Sequence, residues 1–205
     1  MVDRRSAVAG RNCEFVRYRC ELGFFAFWGT DQQMTRLRDH VLGHIPRCLA
    51  DVCTEPCPSI ENYGSEWVAF RLSSAAGSNV GEILGYDLRD YNREFDGSCE
   101  FISPLMIQWP DSPRAVIFDS HIHGYHGEMQ SSANCRGAGE PAPYICPQCG
   151  GKNFVIRVQF DYWGACYDLW EDEPEIMIED YFNNIAVSGE CVTCRHISRV
   201  LDMDI

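Results

Sequence analysis

Two C-x-x-C pairs punctuate the last third of the chain: Cys146-Pro-Gln-Cys149, followed by Gly150-Gly151, and Cys191-Val-Thr-Cys194, with 41 residues between them. Such pairs suit tetrahedral zinc, because each can direct two thiolates from a tight turn at one ion about 2.3 Å from every sulfur. Gly150 and Gly151 supply the permissive backbone that a turn of this kind needs. From Phe154 to Trp163 the residues Phe154, Ile156, Val158, Phe160 and Tyr162 alternate with Val155, Arg157, Gln159, Asp161 and Trp163. That is the period of a strand leaving the first turn. A redox dithiol would instead open a helix in a βαβ unit, and neither pair stands in that context.

A second constellation closes an apolar run, Ala115 to Glu128, AVIFDSHIHGYHGE. Extended, it would place Asp119, His121 and His123 on one face, with adjacent histidines about 6.7 Å apart. A small metal-dependent hydrolase could use Asp119, His121, His123 and His126 as ligands and Glu128 as base. The simpler reading, and the one the sequence favours, is a strand end with solvated or hydrogen-bonded histidines. His40 and His44 stand four apart on an expected helix, and Cys48, Cys53 and Cys57 follow. His44 with those thiols would make a further metal site, but buried thiols pack cores more often than they bind ions. Cys13, Cys20, Cys99, Cys135 and Cys166 suggest no role. No phosphate-binding P-loop, dinucleotide-binding G-x-G-x-x-G after a strand or G-x-S-x-G nucleophile elbow is present.

The C-P-x-C-G turn, the alternating strand and the later C-x-x-C resemble a zinc ribbon over residues 144–196. The resemblance implies structural zinc held by Cys146, Cys149, Cys191 and Cys194. The spacer is longer than the usual 15–20 residues. More than doubling a flexible loop costs only about 0.7 kcal/mol of closure entropy, against roughly 10 kcal/mol or more gained from a structural zinc. The insert is expected to extend the hairpin and carry an acidic segment at its tip. D-x-H-x-H after an apolar strand resembles the metal motif of amidohydrolase and polymerase-histidinol-phosphatase barrels. Only 82 residues follow His123 here, too few to build such a barrel.

The whole chain has 205 residues, 30 carboxylates, 17 basic side chains and a formal charge of −13. It is long enough to bury a core, and its 45% hydrophobic and 12% aromatic content exclude a disordered chain. No run approaches the roughly 18 apolar residues of a membrane span. Residues 1–12 hold Arg4, Arg5 and Arg11 and no apolar stretch, so the expectation is a reducing, cytoplasmic setting in which clustered cysteines bind metal. Charge is unevenly spread. Residues 1–50 hold eight arginines and five carboxylates, net +3, whereas residues 158–194 hold nine carboxylates and no basic residue.

Within that acidic stretch, Asp168 to Glu175 (DLWEDEPE) interleaves carboxylates with aromatic and apolar residues. Trp170, Glu171, Asp172 and Glu173 are the expected contact residues for a basic protein partner, since aromatic anchors ringed by charge make good hot spots. The favoured function is a non-enzymatic zinc protein with such a face, in its sharpest form an inhibitor or immunity protein of a basic toxin or nuclease. The metal-dependent hydrolase is the alternative. A nucleic-acid-binding ribbon comes third, because an acidic ribbon repels phosphate.

The elements that must position these groups can be read in outline. Residues 13–28 predict one or two strands. Thr30 as N-cap with Gln33 as its capping-box partner, then Met34, Leu37, Val41 and Ile45, predict a helix that Pro46 stops. Residues 49–59 read as an irregular crossing and 66–72 as a strand. Strands are also expected at 82–88, at 100–109 with Pro104 forcing an edge or bulge, and at 115–123. Residues 131–143 read as a linker. The fold class is α+β, mainly antiparallel strands with one substantial helix, plus a C-terminal elaborated zinc ribbon. The expected division is 1–130, linker 131–143 and ribbon 144–205.

Overall fold

The computed structural model describes residues 31–59, 66–90, 100–123, 135–162 and 164–205. The expected strands at 13–28, the Thr30 cap, His126 and Glu128 lie outside them. In chain order the elements are α1 (Asp31–Gly43), β1 (Cys53–Cys57), β2 (Glu66–Ser73), β3 (Val80–Asp87), β4 (Phe101–Gln108), β5 (Ala115–Phe118), β6 (Ala142–Pro143), β7 (Phe154–Tyr162), α2 (Gly164–Asp172), β8 (Asn184–Cys191) and β9 (Ile197–Asp204). Single 3-10 turns occur at Arg47–Leu49, Leu88–Asp90 and Ile178–Asp180. The named strand pairs are antiparallel, and among the described residues an isolated parallel bridge joins Ser103 to Arg136. This is the α+β, mainly antiparallel architecture expected, with α1 as its substantial helix. No described helix is long and apolar enough to cross a membrane.

The nine strands form one curled sheet. One half runs β1-β2-β7-β8-β9, and the other is β3-β4-β5 with β6 beside β3. β7 joins them. Its 157–162 stretch pairs with β2, while Val155 and Phe154 pair with Val80 and Gly81 at the start of β3. β3 therefore leaves the edge of β7 and carries the chain into the second half. Ala142 and Pro143, at the end of the expected linker, pair with β3. A single apolar cluster spans both halves, including Phe70, Leu72, Phe154, Val158, Phe160, Ile107 and Phe118. α1 closes it with Leu37 and Val41, both fully buried and four residues apart on one helical face.

Three local expectations change. Residues 53–57 form a strand rather than an irregular crossing. Among the described residues β1 is the outermost strand of its half, where Pro56 needs no ladder partner for its missing N–H. β4 has neighbours on both sides but is irregular, with register shifts against β3 and β5. The strand entering the histidine cluster is only four residues long and stops at Phe118.

Candidate metal centre

Cys146 and Cys191 sit at equivalent points of two matching turns. The N–H of Gly150 donates to the carbonyl of Cys146 at 2.9 Å, and the N–H of Arg195 donates to the carbonyl of Cys191 at 2.8 Å. The N–H of Cys146 donates to the carbonyl of Gly151 at 2.8 Å, and that of Cys191 to the carbonyl of His196 at 2.9 Å. In both turns the residue after the second cysteine is left-handed, Gly150 at φ 74° and Arg195 at φ 63°. Glycine adopts that conformation freely; arginine does so only under constraint. β7 and β8 hold the two turns together, since Phe154 pairs with Cys191 and the N–H of Val192 donates to the carbonyl of Asn153.

The result is a group of four sulfurs, those of Cys146, Cys149, Cys191 and Cys194, all within 4.8 Å of one another. Cys149 and Cys191 are 3.5 Å apart, and Cys146 and Cys194 3.6 Å apart. Sulfurs held tetrahedrally at 2.3 Å from zinc lie about 3.8 Å apart, so a slight outward movement of each pair admits the ion. Gly151 faces the group directly: a Cβ there would stand 3.1 Å from the sulfur of Cys191 and 3.4 Å from that of Cys149. A side chain there would require the neighbouring sulfur to give by a few tenths of an ångström.

Amide N–H groups point at these sulfurs. The N–H of Cys194 is the largest influence on Cys191, and with that of Thr193 it outweighs burial and brings the thiol down to about 6. The N–H of Gly151 acts on Cys149 in the same way, but contacts with the thiols of Cys194, Cys191 and Cys146, together with burial, push Cys149 up to about 12. For Cys194 the N–H of His196 lowers the thiol, and burial and its thiol neighbours leave it raised. One thiolate is thus favoured and its neighbours resist a second charge. A bound divalent cation removes that resistance and lets all four ionise.

The other sequence candidates do not converge. Among the described residues the four-cysteine group is the one place where three or more ligand atoms gather. Asp119 is buried and accepts from Arg136 at 2.7 Å, while its Oδ1 takes the N–H groups of His121 and Ile122. That side-chain capping ends β5 and turns the chain, so Asp119, His121 and His123 do not share a strand face. His123 Nδ1 accepts the N–H of Asp119 at 3.1 Å. His44 is exposed and its ring stacks on that of His40 at 4.2 Å; Cys48 is buried in the core, and Cys53 and Cys57 lie on β1.

The long insert is not a bare hairpin tip. Cys166, Tyr167 and Trp170 share a helical face, and α2 turns it inward. Arg36 of α1 donates to the hydroxyl of Tyr167 at 2.9 Å and lies 5.1 Å from the ring centre of Trp170, with His40 on the same indole at 4.6 Å. His40 contacts Glu179 at 3.3 Å, and Arg47 pairs with the buried Asp180 at 2.8 Å. The basic N-terminal quarter and the acidic insert therefore meet within the molecule. Trp170 is partly buried in that contact, whereas Glu171, Asp172 and Glu173 remain exposed. Sequence reasoning missed Arg36, Arg47 and Arg195, and weighed His40 only beside His44; the i, i+1, i+4 spacing of Cys166, Tyr167 and Trp170 was the signal for α2.

Comparison with known proteins gives no match to this chain among family models, curated proteins or solved structures.

Proposed function

We propose that the chain is a non-enzymatic, zinc-ribbon-like protein whose four cysteines hold one structural zinc, and whose acidic insert binds a basic protein partner. The observation that carries the metal half is the pair of matching turns that brings Cys146, Cys149, Cys191 and Cys194 together. Four thiolates fill a tetrahedral ion and leave no open position for substrate, which is the arrangement of a structural site. β7 then separates the metal from the insert by about eight strand steps, roughly 27 Å.

The placement of the carboxylates supports the partner half. Glu171 and Asp172 lie in the last turn of α2 and Glu173 follows it, with no basic residue in that turn. Asp172 and Glu173 face the negative end of the helix dipole, where each costs the fold about 0.3–1 kcal/mol, while Glu171 at the same end also accepts from the hydroxyl of Tyr167 at 2.9 Å. Residues that weaken their own helix are explained by an outside positive charge. Met177 and Tyr181, both about half exposed, lie beside this surface in sequence and offer the apolar contact that Trp170 partly withdraws. A cationic active site, as in a nuclease or toxin, fits such a surface, and the protein would act as its inhibitor.

Replacing Glu171, Asp172 and Glu173 with Gln, Asn and Gln tests this directly. The triple variant is expected to be more stable to urea by about 1 kcal/mol, and to lose salt-sensitive capture of the basic partner recovered with the wild-type protein from its native cell. Unchanged capture would reject the surface. Elemental analysis of protein purified without chelator should give one zinc per chain, falling to none when Cys146 and Cys191 are both changed to Ser.

A further inference from the structure

The outer face of the β2-β7-β8 region carries a row of three donor side chains whose hydrogen-bonding capacity is only partly used among the described residues. Arg71 of β2 lies opposite Arg157 of β7, and Arg157 lies opposite Ser188 of β8. All three alternate with core residues, so they share the face turned away from the core. Adjacent strands are about 4.8 Å apart, which puts two guanidinium groups and a hydroxyl in one line across three strands. Like charges directly opposite each other weaken a sheet unless something compensates them.

The compensation present is partial. Glu55 accepts from Arg71 Nη1 at 3.4 Å, and Glu190 accepts from Arg157 Nη2 at 3.3 Å while also taking Arg195 Nε at 2.9 Å. Both guanidinium contacts are long for charge-assisted hydrogen bonds. They leave Arg71 Nε, Arg157 Nε and Ser188 Oγ, each buried and each without a partner among the described residues. A buried donor without an acceptor is costly, and three in one row share one remedy, a group rich in acceptors. The positive field also reaches the next strand. Burial raises the thiol of Cys57 on β1, and Arg157 and Arg71 both pull it down again.

We propose that this row is a binding site for an oxyanion, the phosphate or carboxylate group of a small molecule, held by Arg71, Arg157 and Ser188. The planar guanidinium matches either group through paired N–H donors, and the serine hydroxyl supplies a neutral third donor. This site is separate from the metal and from the acidic insert, and it gives an acidic protein a place for an anion.

Calorimetric titration of the zinc-loaded full chain with inorganic phosphate, and separately with succinate, at constant ionic strength tests the site. Saturable uptake of one anion per chain is expected. Affinity should fall about tenfold or more in Arg71→Gln and in Arg157→Gln, and about threefold in Ser188→Ala. Arg89→Gln, whose guanidinium pairs with Asp87 in the other half of the sheet, should bind as the wild type does. Uptake of phosphate alone identifies a phosphate group as the occupant, and uptake of succinate alone a carboxylate. Absence of saturable uptake of both anions, or uptake that survives the arginine and serine substitutions, overturns the proposal. Ser188→Ala changes no charge and keeps the comparison readable if an arginine variant does not fold.

Discussion

Gly151 is fixed by what it faces. Gly151→Ala pushes a methyl group to 3.1 Å from the sulfur of Cys191, so that sulfur must give by a few tenths of an ångström, and zinc affinity is expected to fall about tenfold in a chelator competition. Gly43→Ala, which meets nothing within 4 Å, should leave that affinity unchanged. A second residue reports through pH. Burial, opposed by Asp119, holds the imidazole of His123 below its ordinary value of 6.5. The folded protein therefore resists a proton that the unfolded chain accepts, and stability declines as pH falls below 6.5 until the folded value is passed. Between pH 7.5 and 5.5 the wild type should lose more stability to urea than His123→Gln, by less than about 1 kcal/mol because the ring is only half buried. The four cysteines were legible because ligand spacing within a turn is local. Arg195 was not, since nothing in its type announces a left-handed backbone. The Arg71-Arg157-Ser188 row was not legible either, because it exists only once the strand register is known.

At the scale of elements, α2 shows how charge can hide a helix. Seven carboxylates from Asp168 to Asp180 draw attention to solvent, yet Cys166, Tyr167 and Trp170 are enough to seat the helix on α1. What anchors the far end of the insert is the pair of Arg47 and Asp180. Both the backbone N–H and Nε of Arg47 donate to this carboxylate, whose side chain is 1% exposed. Arg47→Ala strips the guanidinium from a buried charge and is expected to cost about 2–3 kcal/mol, lower than for a fully buried pair because Arg47 is half exposed. Arg199→Ala, in a more exposed pair with Asp202, should cost about 1 kcal/mol or less in the same urea series. The histidine strand failed as an expectation for a matching reason. Asp119 uses its side chain to cap backbone N–H groups, and a residue that can do so competes with the ladder it was expected to join.

For the molecule as a whole, the sequence gives the class of fold through its alternating segments, but not the order of the strands. The pattern of β7 shows a strand, and the hairpin expected of a ribbon places β8 beside it; that β2 and β3 also pair with it is not readable, because they lie far away in the chain. The formal charge of −13 is also less simple than it looks, with Arg36, His40 and Arg47 already committed to the insert, and with Glu171, Asp172, Glu173 and Glu175 a close-set group among the exposed carboxylates. The central position of β7 has a consequence for synthesis. Glu66 pairs with Tyr162, 96 residues later. At about 5–20 residues per second, β2 waits roughly 5 to 20 s on the ribosome for its neighbour. During that interval Phe70 and Leu72 lie beside an open edge, and the nascent chain depends on chaperones or on delay of compaction until β7 emerges.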